Sequence, residues 1–86
     1  MVNFMSKHPV RRTSTLDVRP LIARGEEPFT SIMTAVAALS TREELVLVTP
    51  FLPSPLIEKL QAEGFEVRPE RRGDGSWRTL FYRVEQ

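Results

Sequence analysis

Residues 45–48, Leu-Val-Leu-Val, decide how the rest of the chain folds. A continuous run of apolar, strand-forming residues is typical of a buried strand, so we predict a central strand here. Upstream, residues 15–19 (Thr-Leu-Asp-Val-Arg) alternate polar and apolar side chains, which predicts a first strand with Leu16 and Val18 facing the core. Pro20 ends that strand, and a loop runs through Gly25. Roughly two dozen residues separate the two strands, a length that suits a helical crossover and therefore parallel pairing.

Two helices are predicted, one on each side of the central strand. Residues 28–40 carry apolar side chains at helical spacing, and Pro28 suits the first turn of a helix because its missing N–H costs nothing there. In the second helix Ser54 is the predicted N-cap, Pro55 takes the first helical position, and Gly64 closes the C-terminus. The core-facing positions are predicted to be Phe29, Ile32, Met33, Val36 and Leu39 in the first helix and Leu56, Ile57, Leu60 and Ala62 in the second.

The last part of the chain reads as two strands joined by a tight turn. Residues 65–68 alternate again, residues 72–76 (Arg-Gly-Asp-Gly-Ser) form a strong hairpin signal, and residues 77–84 make the fourth strand. The order βαβαββ predicts an α+β fold, a two-layer sandwich in which a mixed four-stranded sheet has two helices on one face. Two layers are the economical way for a short chain to cover one sheet face.

The length of 86 residues fits a single domain, which we place at residues 14–86 after a flexible leader of residues 1–13. No apolar run approaches the ~18 residues that cross a bilayer, and the first residues lack the apolar core of a signal peptide. We therefore expect a cytoplasmic protein without membrane contact. The net charge of +1 does not favour nucleic acid as a partner.

Several classes of chemistry lack their essential atoms in this sequence. The chain has no cysteine, which excludes thiolate nucleophiles, persulfide carriage and thiolate metal ligands. His8, the only histidine, lies in the predicted leader, so no Ser–His–Asp set can be built. We therefore predict no catalytic residue, no metal site and no cofactor, and a protein that is not an enzyme.

The sheet face that the helices leave uncovered is the first candidate for function. On the fourth strand we assign Trp77 and Phe81 to the core because they are the larger apolar pair. An aromatic and an aliphatic side chain among arginines then lie on the open face, a composition typical of a contact patch for a protein partner or a second copy. This predicted partner face consists of Arg19, Arg68, Arg78, Leu80 and Tyr82.

Two loops are further candidates. The helix-one rim, Gly25, Glu26, Glu27 and Pro28, precedes the first long helix, and its two carboxylates are expected to cap that helix and repel anions. The loop at the carboxyl end of the second strand carries Thr49, Phe51 and Leu52. Ligands of open α/β sheets bind near such strand ends, so this loop is a candidate small-molecule site or part of a contact surface.

Residues 16–19, Leu-Asp-Val-Arg, resemble the opening strand of the TusA/SirA-like sulfur-carrier domains. In those domains a Cys-Pro-x-Pro motif follows at the start of the first helix, where this chain has its helix-one rim. Pro28 matches that motif, whereas Gly25 stands at the cysteine position. The resemblance therefore implies the βαβαββ fold without sulfur transfer, because the sulfur atom is missing.

A closer likeness is to an uncharacterised bacterial branch of that superfamily, a domain of unknown function, over residues 15–84. It is carried by residues 44–48 (Glu-Leu-Val-Leu-Val), 49–51 (Thr-Pro-Phe), 73–75 (Gly-Asp-Gly) and 77–78 (Trp-Arg). The resemblance supports the βαβαββ fold and says little about activity. Because the cysteine is absent and one sheet face is open, we expect a non-catalytic protein-interaction module. Two alternatives stay open: a small-ligand or enzyme-accessory domain in sulfur, nitrogen-oxide or redox metabolism, and a weak nucleic-acid binder using an arginine-rich sheet face.

Overall fold

The computed structural model describes residues 11–84. Most of the predicted leader, residues 1–10, therefore lies outside the described residues. The first strand begins at Arg12, two positions before the domain boundary that we predicted. In chain order the elements are β1 (Arg12–Asp17), α1 (Arg19–Ala23), α2 (Phe29–Ala37), β2 (Glu43–Thr49), α3 (Ser54–Ala62), β3 (Phe65–Arg71) and β4 (Trp77–Arg83).

The four strands form one mixed sheet in the order β1-β2-β4-β3. β1 runs parallel to β2, and β4 lies antiparallel between β2 and β3. Both longer helices, α2 and α3, contribute buried residues to a single core on one face of this sheet. The predicted two-layer α+β fold is confirmed. No helix within residues 11–84 has the length and apolarity needed to span a membrane.

The core lies between the helices and the inward-facing side chains of β2, β3 and β4. Phe81 is fully buried, and its register partners on the two neighbouring strands are Leu45 and Val67. The fourth strand therefore faces the way its alternation predicts. The buried core cluster comprises Val18, Ile32, Val36, Leu39, Leu45, Leu47, Leu56, Leu60, Phe65, Val67 and Phe81.

The first strand and the segment after it differ from the prediction. β1 ends at Asp17, not Arg19, and the predicted loop contains the short helix α1, with Pro20 in its first turn. Proline fits there for the same reason that it fits at the start of α2, so Pro20 starts a helix as well as stopping a strand. Val18 is nevertheless buried as predicted, because its N–H still bonds to the Val48 carbonyl, 3.1 Å away.

The ends of the longer helices also differ in detail. α2 ends at Ala37, and the carbonyl of Leu39 beyond it accepts a hydrogen bond from Arg83 Nε at 3.1 Å. A cation near a helix C-terminus complements its dipole. In α3 the N-cap position is Pro53, not the predicted Ser54, which is already helical. Ala62, which we predicted to face the core, is exposed.

Thr79→Val is expected to raise the free energy of unfolding by about 1–2 kcal/mol. The Thr79 hydroxyl is fully buried and has no hydrogen-bond partner among residues 11–84. Valine has nearly the same shape and leaves no polar atom to desolvate. Urea unfolding compares the two proteins, with Thr34→Val at an exposed position of α2 as the control. A loss of stability in Thr79→Val would show that the hydroxyl finds a partner in the folded protein.

Candidate functional site

The open sheet face carries the side chains of β4 that we predicted. Arg78 is exposed, and Leu80 and Tyr82 are half-buried, in contrast to the buried Phe81 between them. Leu80 lies opposite Val46 of β2 on one side and Arg68 of β3 on the other. The predicted partner face is therefore a continuous surface over three strands.

A shallow cavity of about 540 Å³ lies on this face, but its arginines have acidic neighbours. Arg72 Nη1 is 3.3 Å from Glu70 Oε1, and Arg68 Nε is 3.8 Å from Glu66 Oε2. Exposed ion pairs of this kind add little stability, but they neutralise much of the positive charge of the face. The cavity is lined by Glu44, Val46, Arg68, Pro69, Glu70, Arg72, Arg78 and Leu80.

Arg19 reaches the open face from α1, whereas we had predicted that it lies at the end of the first strand. Its guanidinium donates to both carboxylate oxygens of Asp17, at 2.9 and 2.7 Å, and lies 3.7 Å from Asp74 in the hairpin. These hydrogen bonds from Arg19 lower the pKa of Asp17, and the bonds from Ser76 chiefly lower the pKa of Asp74. Arg19 thus joins α1 to the β3–β4 hairpin.

Tyr82 has a cation stacked on its ring. The guanidinium carbon of Arg11 lies 3.9 Å from the Tyr82 ring centroid, within the range of a cation–π interaction. The aromatic part of the predicted partner face is therefore partly covered by the residue before β1.

The helix-one rim and the loop after β2 come together at the other side of the sheet. They border an apolar cavity of about 340 Å³ between the starts of α2 and α3, which we call the α2–α3 groove. Of the residues predicted at these two loops, Gly25, Glu26 and Leu52 do not line the groove. The groove is lined by Val18, Ile22, Glu27, Pro28, Phe29, Ile32, Thr49, Phe51, Pro53, Pro55, Leu56 and Lys59.

The two carboxylates of the rim have different roles. Glu27 caps α2 as predicted: it accepts hydrogen bonds from the backbone N–H groups of Phe29 and Thr30, the latter at 3.3 Å. Glu26 instead forms an ion pair with Arg24, with N–O distances of 3.0 and 3.2 Å. Gly25 has φ +76°, which favours glycine, at the end of α1. The helix-one rim therefore lies between the end of α1 and the start of α2. Both of its carboxylates already have partners within the described chain.

The polar groups beside the groove are engaged as well. Thr49 is buried, and its hydroxyl donates to the Phe51 carbonyl at 2.6 Å, which closes the turn after β2. The Nζ atom of Lys59, which lines the groove, lies 2.9 Å from Glu63 Oε2 along α3. What the groove offers to a ligand is therefore chiefly apolar surface.

Two aromatic side chains flank the groove in an exposed position. Phe51 is 52% exposed and Phe29 is 47% exposed, while Val18, Ile32 and Leu56 beneath them are buried. Sequence reasoning placed Phe51 at a candidate site but assigned Phe29 to the core. The available signal was the position of Phe29 in the first turn of α2, at the end of the apolar stripe.

Residues 11–84 contain no cluster of three or more His, Asp or Glu side chains that could hold a metal ion. His8, the only histidine, lies outside the described residues.

Fold and site together define a small two-layer α+β domain with an apolar groove at the carboxyl ends of its two parallel strands. The chain belongs to DUF2249, a family of uncharacterized conserved proteins, whose model matches residues 15–83. No curated protein and no solved structure matches the chain.

Proposed function

We propose that this chain is a non-catalytic protein-docking module whose α2–α3 groove receives an apolar side chain of a partner protein. The observation that carries the proposal is the pair of half-exposed phenylalanines, Phe29 and Phe51, at the mouth of the groove. Exposed aromatic residues around an apolar pocket are typical of binding hot spots.

The surface next to the groove favours a protein over a small molecule. Residues 28–41, which include all of α2, contain no Asp, Glu, Lys or Arg. Depletion of charge is the compositional signature of an interface core. A small ligand needs the groove alone, whereas a partner protein also covers the uncharged outer surface of α2.

The open sheet face is a weaker candidate for docking. Arg19, Arg68 and Arg72 each lie within 4.0 Å of a carboxylate, so much of the positive charge that could attract an acidic partner is already balanced. Nucleic-acid binding has less support still, because Trp77 and Arg83 alternate with Arg78 and Tyr82 and lie on the helix side of the sheet. We do not propose that role.

We also propose that the domain is a cysteine-free bacterial relative of the TusA/SirA-like sulfur carriers, working in the cytoplasm. Support comes from the mixed sheet with one parallel pair and from the position of the groove. The resemblance places the carriers' cysteine at the start of the helix that follows strand one. In this chain Glu27 and Pro28 of that region line an apolar groove, whereas Gly25 at the cysteine position does not, which suits recognition without sulfur chemistry.

A small-ligand or enzyme-accessory role is the second candidate, in sulfur, nitrogen-oxide or redox metabolism. One observation favours it: the groove lies at the carboxyl ends of the parallel strands β1 and β2, where open α/β sheets bind ligands. Its volume of about 340 Å³ is at the small end of the range for such sites.

The test is the double variant Phe29→Ser plus Phe51→Ser, with Val84→Ser as the control. Val84 is 46% exposed and does not line the groove, so it matches the two phenylalanines in exposure only. A photo-crosslinking amino acid at position 51 first identifies the protein that contacts the groove in cells. Calorimetry with that purified protein is then expected to show binding weakened by about 30-fold or more, as for loss of ~2 kcal/mol at a hot spot.

The controls separate the two candidate functions. Val84→Ser is expected to bind the partner as the parent does, and circular dichroism shows that each variant is folded. Equal binding by the double variant would contradict the proposal. Failure to crosslink any protein, together with thermal stabilisation by a metabolite that the double variant loses, would establish the small-ligand role instead.

A further inference from the structure

The two edges of the sheet, β1 and β3, differ in how open they are to another strand. Gly64 and Val84 share a backbone hydrogen bond of 3.2 Å, and Arg72 and Ser76 share one of 2.8 Å. Even-numbered residues of β3 therefore bond to β4, and the amides of its odd-numbered residues point outward. Pro69 occupies one of these outward positions.

Pro69 makes the β3 edge a poor site for pairing with another strand. It lies near the middle of the strand and has no N–H to offer to an incoming strand, while costing β3 no bond to β4. The charged side chains of Arg68 and Glu70 flank it. Another strand cannot pair along this edge without a gap.

The β1 edge has no such protection. Arg12 N–H bonds to the Arg42 carbonyl at 2.9 Å, and Val18 N–H bonds to the Val48 carbonyl at 3.1 Å. Even-numbered residues of β1 therefore face β2, and the N–H and C=O groups of Thr13, Thr15 and Asp17 point outward. Among residues 11–84, β1 is an edge strand that pairs with β2, so these outward groups have no strand partner there. Thr13 and Thr15 are strand-forming residues without charge, and the strand contains no proline.

We infer that two copies of this chain associate through antiparallel pairing of β1 with β1. A twofold axis perpendicular to the sheet keeps both helix layers on the same side and requires odd-numbered residues to face odd-numbered residues. The register centred on Ser14 places Thr13 of each copy opposite Thr15 of the other. The result is a single sheet of eight strands.

The same register brings opposite charges together. It places Arg11 of one copy opposite Asp17 of the other on the open face, where the Arg11 guanidinium turns from the Tyr82 ring across β2 toward the partner copy and shares Asp17 with Arg19. Opposite charges across an antiparallel pair stabilise it, and this pair occurs twice in the dimer. This charge complementarity favours a second copy over an unrelated extended segment.

The interface is small, so we expect a weak, concentration-dependent dimer. Sedimentation equilibrium on the full chain, from micromolar to millimolar concentration, is expected to show a reversible monomer–dimer transition. Amide hydrogen exchange adds a residue-specific readout that needs no variant. Raising the concentration is expected to protect the amides of Thr13, Thr15 and Asp17, whereas Ser14 and Leu16 are protected by β2 at every concentration.

Thr15→Pro tests the edge itself. It removes one outward N–H without removing any hydrogen bond to β2, and we expect the association constant to fall at least about tenfold. Arg71→Pro is the matched control, because it removes an outward amide from the opposite edge; it is expected to leave the association unchanged. Thermal unfolding at low concentration shows whether each variant is folded.

Three results would overturn the inference. They are a monomer at every concentration, a dimer that resists Thr15→Pro, and protection of the odd-numbered amides only when another protein is added. A dimer lost on Phe29→Ser plus Phe51→Ser but retained in Thr15→Pro would place self-association at the α2–α3 groove. That outcome is distinct from failure of the proposed docking function, which is measured with a different protein.

Discussion

Phe81→Ala is expected to lower the free energy of unfolding by about 3–5 kcal/mol, the usual cost of removing a buried phenylalanine ring. Phe81 has no exposed surface and lies on the middle strand pair, opposite Leu45 and Val67. Its ring therefore packs between core side chains of β2 on one side and of β3 on the other. For a domain whose total stability is in the range of about 5–15 kcal/mol, the loss is severe.

Urea unfolding followed by circular dichroism measures this effect. Phe51→Ala is the control, since it removes the same ring from a side chain that is 52% exposed, and a change of less than about 1 kcal/mol is expected. Equal losses in the two variants would contradict the assignment of the core to the helix side of the sheet.

Leu60→Ala is expected to cost about 2–5 kcal/mol and to loosen α3 from the sheet. Leu60 is fully buried, and together with Leu56 it provides the buried contacts of α3 with the core. The cavity left by the smaller side chain cannot be filled by the helix alone, because Pro53 and Pro55 restrict the segment before it.

Hydrogen exchange and thermal unfolding together test this prediction. The amides of α3 are expected to exchange faster in Leu60→Ala than those of β2 and β4, because the helix opens locally before the sheet unfolds. Gln61→Ala, a change at an exposed position of the same helix, controls for helix propensity. Uniform loss of protection over the whole chain would show that α3 and the sheet open as one unit.

Much of the fold could be predicted because burial leaves a strong pattern in the sequence. The apolar run of residues 45–48 marks a central strand of the sheet, and alternation along β4 separates Phe81 from Arg78 and Tyr82. Pro28, Gly64 and the residues of the hairpin each mark the end or start of an element for a steric reason.

The start of β1 and the whole of α1 could not be predicted in the same way. Residues 12–15 are exposed although they form a strand, so no apolar alternation marks them; β2 holds them through backbone hydrogen bonds. α1 has only five residues and no buried position, so its sequence carries no helical stripe. Pro20 is compatible with both the end of a strand and the start of a helix.

The candidate site was predicted in parts and not as a whole. Glu27 and Pro28 belonged to one predicted site and Thr49 and Phe51 to another, and the structure joins them in one groove. Their proximity depends on the relative positions of α2 and α3 over the sheet, which local patterns do not encode. The hydrogen bond of Thr49 could not be predicted from the sequence either.

The position of Arg19 has a mechanical consequence. Val18 forms part of the floor of the α2–α3 groove, and the next residue holds Asp17 and Asp74 on the opposite side of the sheet. Side chains on the two sides of the sheet are therefore fixed by adjacent backbone positions, so we expect a change that moves the Val18 backbone to weaken the contacts of Arg19 with Asp17 and Asp74.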